Sequence, residues 1–351
     1  MKIIAEIGIN FNGRLELAKK LVDIASSANC DFAKFQLFRA KSFYPKSAGE
    51  LDWFDGKRKY SYDIYEAIKK FELPYEWLDE IVDHCNKRKI EFLASVFNFD
   101  DLEIYRNLNL DSIKLSSYSI TNLPLIEETA KTGMHIFLST GGSFLSEVDE
   151  AVRTIRKYHD NFTLMHCSIA YPTPLDKVNM GVVETFKKAF ECEVGYSDHT
   201  AEVFEAPMQA KLLGASVIEK HITFDKKADG PDHFFALDEK ELKIMVKKLH
   251  NETASIDKRI YGSTKRVCYP HEEYLRDFAY HQLFVNKDIK KGDVITQKDI
   301  SILRRGKKSK GLEPKYWHIF KDGVIANCDL KNEDVLAWDK IVKNENSRFD
   351  E

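Results

Sequence analysis

The feature that most constrains the fold is a regular alternation of short apolar runs with amphipathic stretches. Many of these runs are almost continuously apolar, as expected for parallel strands that are covered on both faces. The eight runs are Lys2–Asn10, Asp31–Phe38, Glu91–Phe97, Ser112–Ser117, His135–Gly141, Phe162–Ser168, Cys192–Asp198 and Ser216–Thr223. Helix candidates between them are Leu15–Cys30, Tyr75–Lys89 and Ser146–His159. Eight such units in about 250 residues match a (β/α)8 TIM barrel in number and size.

A doubly wound open sheet is the alternative architecture for the same alternation. No predicted strand ends in a GxGxxG turn, which is the turn that many sheets of this kind use to bind dinucleotides. Other doubly wound proteins also lack that turn, so the alternative stays open. The sequence favours an α/β protein built on a TIM barrel.

The pattern changes near residue 256, which predicts three regions: a catalytic barrel over 1–255, a linker over 256–277 and a small domain over 278–345. The linker is charged and shows no clear periodicity. The small domain is predicted to be mostly β, with short segments at His281–Val285, Asp293–Ile295, Ile300–Leu303 and Gly323–Cys328. A module of about 65 residues is marginally stable unless it docks on something.

Composition excludes several classes of function. The chain has 53 basic and 56 acidic residues and a net charge of −3, so nothing predicts binding to nucleic acid or to an anionic membrane. Its apolar runs are strand-sized, which predicts no membrane span. The early polar residues Glu6 and Asn10 argue against a secretory signal, and the six cysteines form no CxxC pair. These features predict a reduced, cytoplasmic protein.

Polar residues gather at the carboxyl ends of the predicted strands, where a barrel carries its chemistry. The long connection over 39–74 follows the second strand and is rich in aromatic residues, which predicts a lid or substrate-binding loop. The polar residues at the strand ends are Glu6, Asn10, Lys34, Gln36, Ser95, Asn98, Lys114, Ser117, Ser139, Thr140, His166, Tyr171, Ser197, Asp198, His199, Glu219, Lys220, His221 and Asp232.

Two lysines inside apolar strands, Lys34 and Lys114, are the most informative of these. A buried ammonium group without a partner is costly, so each lysine needs a counter-charge or a ligand. Two lysines at one barrel mouth could hold the phosphate and the carboxylate of a small anion. The alternative is that each side chain only extends to the solvent at the mouth.

Two histidines, His199 and His221, end neighbouring strands of the predicted barrel. Together with carboxylate or substrate oxygens, two imidazoles can hold a divalent cation that keeps open positions. A hydrogen-bonded structural role is the alternative for each of them. In the same way, Asp198 could cap a helix, and the loop 139–142 could either satisfy a helix N-terminus or bind phosphate.

The combination of motifs resembles the N-acetylneuraminate (sialic acid) synthase family, which includes the legionaminic and pseudaminic acid synthases. The C-terminal module, with Lys-Asp-Ile-Lys-Lys-Gly (287–292), resembles the antifreeze-like (SAF) domain of these enzymes. The barrel motifs are Ala-Glu-Ile-Gly-Ile-Asn (5–10), Ala-Lys-Phe-Gln (33–36), Ile-Lys-Leu-Ser-Ser (113–117), Leu-Ser-Thr-Gly (138–141), His-Cys-Ser-Ile-Ala-Tyr-Pro-Thr-Pro (166–174), Gly-Tyr-Ser-Asp-His-Thr (195–200), Glu-Lys-His-Ile-Thr (219–223) and Asp-Gly-Pro-Asp (229–232).

The resemblance implies a metal-dependent condensation of phosphoenolpyruvate with an open-chain N-acetylated amino sugar, an N-acetylated hexosamine. The products would be phosphate and a nine-carbon 2-keto-3-deoxy acid. The implied cofactor is Mn²⁺, with Mg²⁺ or Co²⁺ as alternatives, bound by His199 and His221. The family also implies a homodimer in which the small domain completes the partner's site.

The resemblance also assigns roles to individual residues. Phosphoenolpyruvate would be held by Lys34, Lys114, Ser117, Ser139 and Ser197. The implied residues around the sugar and the metal are Glu6, Gln36, Tyr171 and Asp232, of which Glu6, Asp232 and Tyr171 are candidate catalytic residues, and Ser95 is a further substrate-binding candidate. Arg304 would reach the partner's site, with Phe278 as the accompanying aromatic residue.

Three departures from the family pattern bear on the substrate. Ser119 stands where an acidic residue is usual, Ile169 stands where asparagine or serine is frequent, and the loop 304–311 is longer and strongly basic. That loop is either a solvated surface or an adaptation to a more acidic sugar. A pyruvate-type aldolase with a Schiff base on Lys34 or Lys114 is the alternative enzyme. A catalytically silent sugar-phosphate-binding protein is the alternative from another class, suggested by Ser119 and Ile169.

Overall fold

The computed structural model of the chain describes residues 1–54 and 59–343. Its strands are β1 (Lys2–Gly8), β2 (Phe32–Leu37), β3 (Glu50–Phe54), β4 (Lys59–Asp63), β5 (Glu91–Val96), β6 (Ser112–Leu115), β7 (His135–Ser139), β8 (Phe162–Cys167), β9 (Glu193–Asp198), β10 (Val217–His221), β11 (His281–Val285), β12 (Val294–Ile295), β13 (Ile300–Arg304), β14 (Val324–Ala326) and β15 (Ile341–Val342). Its α-helices are α1 (Leu15–Ser27), α2 (Ile64–Lys69), α3 (Leu78–Arg88), α4 (Phe99–Arg106), α5 (Leu123–Ala130), α6 (Leu145–Arg156), α7 (Val182–Phe190), α8 (Glu205–Leu212), α9 (Glu239–Asn251), α10 (Lys258–Tyr261) and α11 (Pro270–Ala279).

The larger part of the chain is a closed barrel of parallel strands in the order β1-β10-β9-β8-β7-β6-β5-β2. Each of the eight predicted runs contains one of these strands, so the TIM-barrel prediction is confirmed. The doubly wound alternative is wrong, because β1 pairs with β2 on one side and with β10 on the other and leaves no open edge.

The interior of the barrel changes from apolar to polar along the strands. One apolar cluster fills the end where the strands begin: Ile4, Phe32, Leu93, Phe137, Met165 and Val217. Side chains of a strand alternate between its two faces, so the residues two positions further along also point inward. Those residues are Glu6, Lys34, Ser95, Ser139, Cys167 and Glu219. The barrel therefore has an apolar floor and a polar layer above it.

The predicted barrel helices are present with slightly earlier ends. In α6, Val148, Val152 and Ile155 are buried and form the predicted apolar stripe. Helix α1 ends before Asn29, and α3 ends at Lys89; both of these residues have positive φ, which stops a helix.

The C-terminal part is mostly β, as predicted, with β11 paired to β13 and a second sheet in the order β12-β14-β15. The predicted linker, however, contains α10 and most of α11, and the predicted boundary at Phe278 lies inside α11. Residues 344 and 345 of the predicted small domain lie outside the described residues. The division of the chain into these domains therefore stays a prediction.

The connection over 39–74 forms the β3–β4 hairpin followed by α2, with residues 55–58 outside the described part. Its residues Phe43 and Tyr44 are buried and pack with Phe38 and Phe97. Among the described residues, none of the helices combines the length and the apolar character that crossing a membrane requires.

Buried histidines make the stability of this fold sensitive to acid. Burial lowers the pKa of His166 and of His281 to about 3 and that of His233 to about 4, so all three are neutral in the fold. In the unfolded chain a histidine has a pKa near 6.5, so the unfolded chain binds more protons below that pH. Each histidine therefore lowers the free energy of unfolding by about 1.4 kcal/mol for each pH unit below 6.5, until the pH reaches its folded pKa.

His166→Gln isolates one of these contributions. Its Nε2 atom donates to the Val178 carbonyl, a bond that the glutamine amide can also make. We expect the difference in unfolding free energy between wild type and variant to change by about 1.4 kcal/mol per pH unit between pH 6.5 and 4, measured by urea unfolding. A constant difference across that range would contradict the prediction.

Candidate active site

Four charged side chains form the centre of the polar layer. The Lys34 ammonium group lies 2.7 Å from Glu6 Oε2 and 3.6 Å from Glu219 Oε1, and Lys114 lies 2.6 Å from Glu219 Oε2. All four are buried. The pairing follows from strand order, since Glu6 is in register with Lys34 on neighbouring strands while Lys114 reaches Glu219 across the barrel.

The charges in this cluster stabilise one another. Burial raises the pKa of Glu219, but the ammonium groups of Lys114 and Lys34 lower it further, to about 2. Burial alone would lower the pKa of Lys34, yet Glu219 and Glu6 raise it. For Lys114, burial and the charge of Lys34 outweigh Glu219, so its pKa is lowered. The cluster is thus ionised and balanced without a ligand.

Hydroxyl and amide groups surround the cluster. Ser197 Oγ donates to Glu219 (2.9 Å), Ser95 Oγ accepts from Lys34 (3.3 Å) and Gln36 Nε2 donates to Glu6 (2.8 Å). Ser117 Oγ accepts from the Gly141 amide at 2.9 Å. Among the described residues, the buried Ser139 Oγ has no hydrogen-bond partner, so it is available to a ligand.

His199 and His221 lie together beside this cluster, with ring centroids 5.5 Å apart. The Nδ1–H of His199 donates to the Ser168 carbonyl at 2.7 Å, which leaves its Nε2 free to bind a cation. His221 Nδ1 is buried, lacks a hydrogen-bond partner among the described residues and lies 3.7 Å from Asp232 Oδ2. The Tyr171 ring packs at 4.2 Å from the His199 ring.

These groups offer two imidazoles and one carboxylate to a metal ion. The described part of the chain holds no group of three or more His, Cys, Asp or Glu side chains arranged to bind a metal. A cation here would therefore depend on substrate or water oxygens for its other ligands. Burial lowers the pKa of His199, but the adjacent Cys167 raises it to about 8, so a cation would displace a proton. The donor set fits a divalent ion with open positions.

Asp232, the carboxylate next to His221, is the natural base of the site. Burial first, and the charge of Glu6 second, raise its pKa to about 7. A carboxylate with a pKa near neutrality can accept a proton and also return it.

A second ion pair, outside the barrel wall, holds the loop that carries His199. Lys220 lies 2.6 Å from Asp198, both are fully buried, and Lys220 also donates to the Thr200 and Glu202 carbonyls. Lys220 precedes His221 and Asp198 precedes His199, so the pair fixes one histidine strand to the other. In sequence both residues were candidates for the barrel mouth, but they point to the helix layer.

Lys220→Met tests this arrangement, because it leaves the Asp198 carboxylate buried without its counter-charge. We expect the free energy of unfolding to fall by about 3–5 kcal/mol, measured by urea denaturation. The surface variant Lys87→Met, which removes an exposed pair with Asp83, should change it by less than about 1 kcal/mol. Equal effects of the two variants would show that the buried pair has no special role.

The loop after β7 is held by the linker. A Cβ atom on Gly141 would lie 2.7 Å from Ile169 Cγ2, so only glycine allows the approach of Ile169. The Gly142 amide donates to Glu272 Oε1 at 2.8 Å, and the Ile169 amide donates to the same oxygen. The hypothesis that this loop binds phosphate through the Gly142 amide is therefore not supported.

The structure places the two small-domain candidates differently from the expectation. Arg304 lies over its own chain's barrel, with its guanidinium carbon 3.9 Å from the Phe43 ring and 4.5 Å from the Tyr118 ring. Phe278 belongs to α11 and packs against Tyr44. The prediction that Arg304 completes a partner's site thus differs from this structure, because α11 leads directly into β11 beside the same barrel.

The departures from the family pattern have structural explanations. Ser119 is buried, and its hydroxyl lies 3.4 Å from that of Ser116. Arg305, in the basic loop, pairs with Asp277 at 2.6 Å rather than facing the polar layer. The loop therefore gives no support to an acidic sugar.

Sequence analysis left three residues out of the candidate site. Glu219 bridges both lysines, Cys167 lies 3.6 Å from His199, and Tyr118 packs beneath Arg304. Counting in steps of two from the apolar floor would have pointed Glu219 and Cys167 inward. No signal in the sequence indicated Tyr118.

Comparisons with known proteins agree with this site. A family model described as the NeuB family matches residues 21–261. The spore coat polysaccharide biosynthesis protein SpsE of Bacillus subtilis is 35% identical over 350 residues, covering 97% of this chain and 93% of that protein. The N,N'-diacetyllegionaminic acid synthase of Campylobacter jejuni is 34% identical over 337 residues, with 95% and 98% covered. The pseudaminic acid synthase of Helicobacter pylori is 31% identical over 344 residues, with 98% of each covered.

The crystal structure of SpsE from Bacillus subtilis resembles this one along almost the whole chain. The TM-score is 0.85 at 34% identity, and the match covers 98% of this chain and 96% of that chain. The likeness therefore includes the C-terminal part as well as the barrel.

Proposed function

This chain belongs to the NeuB family, and on that basis we propose that it is a nonulosonic acid synthase. It condenses phosphoenolpyruvate with an open-chain N-acetylated hexosamine and releases phosphate and a nine-carbon 2-keto-3-deoxy acid. The relatives named as legionaminic and pseudaminic acid synthases support the reaction class. The observation that carries the proposal is the pair of lysines in one buried layer beside two adjacent histidines.

The polar layer suits phosphoenolpyruvate because it combines two cations with hydroxyl donors in a site removed from water. Lys34 and Lys114 would bind its phosphate and carboxylate, and Ser139 Oγ would supply the hydroxyl that has no partner in the free protein. Ser117 and Ser197 stand ready to exchange their present contacts for the ligand. Charge-assisted bonds of this kind also stabilise the charge that develops as phosphate leaves.

The chemistry needs one new C–C bond and one broken C–O bond. The C3 carbon of phosphoenolpyruvate attacks the sugar aldehyde, whose oxygen takes up a proton. Water adds to C2, and phosphate then leaves with its bridging oxygen, so the C2 ketone forms. Asp232 is suited to accept the proton of that water, because burial keeps its pKa near 7, and Glu6 assists from across the layer.

The residues that would hold a divalent cation, with Mn²⁺ proposed first and Mg²⁺ or Co²⁺ as alternatives, are His199 and His221. Such an ion, when bound, polarises the aldehyde oxygen. Tyr171 keeps the His199 ring in place by stacking on it, and the Ser168 carbonyl fixes its tautomer.

Further parts of the proposal rest on the family resemblance. They are the antifreeze-like identity of the small domain, assembly as a homodimer and a cytoplasmic location. The antiparallel sheets of the C-terminal part are compatible with the first of these.

The test is phosphate release from phosphoenolpyruvate by purified protein with Mn²⁺, across a panel of N-acetylated hexosamines that includes diacetamido and phosphorylated sugars. Mass spectrometry identifies the product of each active sugar. We expect one sugar to give a product heavier than itself by the three carbons of pyruvate. No phosphate release with any sugar would refute the proposal.

Arg304 is expected to act on the sugar rather than on phosphoenolpyruvate, since its guanidinium lies above the lid aromatics and outside the lysine layer. Arg304→Ala should lower kcat/KM for the sugar by about 10–100-fold, as expected for one lost bond to a charged group. The KM for phosphoenolpyruvate should change little. Steady-state kinetics with each substrate varied in turn checks this, and Lys308→Ala in the same loop is the control.

One observation favours a second candidate, a Schiff-base aldolase. Burial lowers the pKa of Lys114, which would help its amine to attack pyruvate. Its 2.6 Å contact with Glu219 argues against this, because that contact holds the proton on the amine. Borohydride in the presence of pyruvate would trap the aldolase covalently at Lys114, whereas the synthase should remain unmodified.

A further inference from the structure

We infer that each chain closes its own active site with its own C-terminal domain, so that no residue from a second subunit is needed. This inference rests on the proposed function. It differs from the arrangement that the family resemblance implies, in which a partner supplies the arginine.

The linker is built into the barrel instead of spanning open space. Arg266 and Glu272 form a fully buried ion pair at 2.8 Å. Glu272 also accepts from the Gly142 and Ile169 amides, and Arg266 donates to the Ser143 and Cys167 carbonyls. The loops after β7 and β8 are thereby joined to the linker at the edge of the site.

The second half of the linker is fixed just as firmly. Arg276, on α11, pairs with Glu147 at 2.5 Å and donates to the Gly142 carbonyl. Tyr280 Oη donates to the Gly141 carbonyl at 3.0 Å, and β11 begins at the next residue. The small domain therefore starts at the mouth of its own barrel, with no free segment that could carry it to another one.

The small domain then contacts the lid of the same chain through main-chain bonds. The Arg304 amide donates to the Phe43 carbonyl at 2.9 Å, and the Lys307 amide donates to the Ala48 carbonyl at 2.7 Å. Glu333 accepts from the Lys46 and Ser47 amides. These contacts hold both ends of the segment from Phe43 to Ala48.

A chain of contacts connects this docking to the histidines. His281, on β11, donates from Nδ1 to the Tyr118 carbonyl at 2.9 Å, and Arg304 lies over the Tyr118 ring. A hydrogen bond joins the side chains of Tyr118 and Tyr171, and Tyr171 stacks on His199. Closure by the small domain therefore sets the position of groups beside the proposed metal.

Arg304 itself indicates that the closed site expects a ligand. Its side chain is buried, its Nε has no hydrogen-bond partner, and no carboxylate of the described residues forms an ion pair with it. The SpsE crystal structure matches 98% of this chain as one continuous chain, so the same relation of small domain to barrel occurs in a solved relative.

Subunit complementation tests the inference. One variant, His221→Ala, has a defective barrel and an intact small domain, and the other, Arg304→Ala, has the reverse. The two are co-expressed with different tags, and protein carrying both tags, if any forms, is assayed beside the unfractionated mixture at a sugar concentration below KM. With closure within one chain, we expect no activity above the sum of the two separate variants.

Closure between chains would give a different result. Half of the dimers would then be mixed, and half of their sites would unite an intact barrel with an intact arginine, so the mixture would recover about a quarter of the wild-type activity. That recovery would overturn the inference. An inactive wild type would instead refute the proposed function.

A measurement that needs no activity accompanies the assay. Ser47→Cys combined with Glu333→Cys places two thiols at a docking contact where the native side chains lie 2.9 Å apart. A short bismaleimide should link them within one chain, which gives a product that migrates as a monomer in denaturing gels. A covalent dimer that forms with the double variant, and with neither single-cysteine control, would overturn the inference even if the enzyme proved inactive.

Discussion

Replacing His221 with alanine is expected to lower phosphate release at least about 10³-fold, because a cation that contributes several kcal/mol to the transition state would lose one of its two imidazole ligands. The fold should survive the change. His221 Nδ1 makes no hydrogen bond within the described residues, so no structural partner is left unsatisfied. The affinity for Mn²⁺, measured by calorimetry, should fall together with the activity, and the melting temperature should stay near that of the wild type.

His135→Gln is the matched control for this variant. His135 begins β7, at the opposite end of the barrel from the polar layer, and bonds Asn161 and Thr163. Its replacement should leave both turnover and Mn²⁺ affinity unchanged. Full activity in His221→Ala, or a loss equal to that of the control, would remove His221 from the site.

The barrel could be predicted because parallel strands buried on both faces produce continuous apolar runs. The same property hides which side chains point inward. Lys34 and Lys220 both interrupt apolar strands, yet Lys34 faces the barrel interior and Lys220 faces the helices. His166 likewise bonds Val178 in the helix layer, whereas its neighbour Cys167 faces the site. In a strand the direction of a side chain depends on the register, and an unbroken apolar run does not reveal it.

The linker escaped prediction for a related reason. Helix α11 buries Glu272 against Arg266, so part of its buried face is charged. Apolar periodicity reports a helix only when the buried face is apolar. The path of the chain after α11 depends on those same paired charges, which explains why the sequence could indicate a docking domain but not the barrel on which it docks.

The site prediction gathered most residues correctly because strand ends of a barrel converge on one face. Glu219 was passed over, although it lies two residues before His221 on the same inward face. A glutamate between two basic residues resembles a surface pattern, and only the closed barrel brings both lysines to it. Its central position makes it the key to separating structure from catalysis here.

Lys114→Met is expected to have the second large effect, and on two properties at once. The kcat/KM for phosphoenolpyruvate should fall by about 10³-fold or more, because a charge-assisted contact to the ligand is lost in a buried site. The free energy of unfolding should also fall, by about 3 kcal/mol, because Glu219 keeps only Lys34, at 3.6 Å, as a counter-charge. Calorimetric titration with phosphoenolpyruvate and urea unfolding measure the two effects.

Lys220→Met separates these two effects. It also breaks a buried ion pair, but on the outer side of the barrel wall, so it should lose stability and still bind phosphoenolpyruvate. If both lysine variants lost binding to the same extent, the loss would report destabilisation, and Lys114 would have no direct contact with the ligand.

The double variant Lys114→Met/Glu219→Gln completes the argument. Removing both charges leaves no unpaired ion in the polar layer, so the double variant should be more stable than Lys114→Met alone, and the two substitutions should be coupled by about 1–3 kcal/mol. Binding of phosphoenolpyruvate should not return, because a neutral layer still lacks the cation that the phosphate requires. Recovered stability together with absent binding would assign Lys114 two roles, as partner of Glu219 in the free protein and as ligand for the anion in the complex. Recovered binding would show instead that Lys114 only neutralises Glu219.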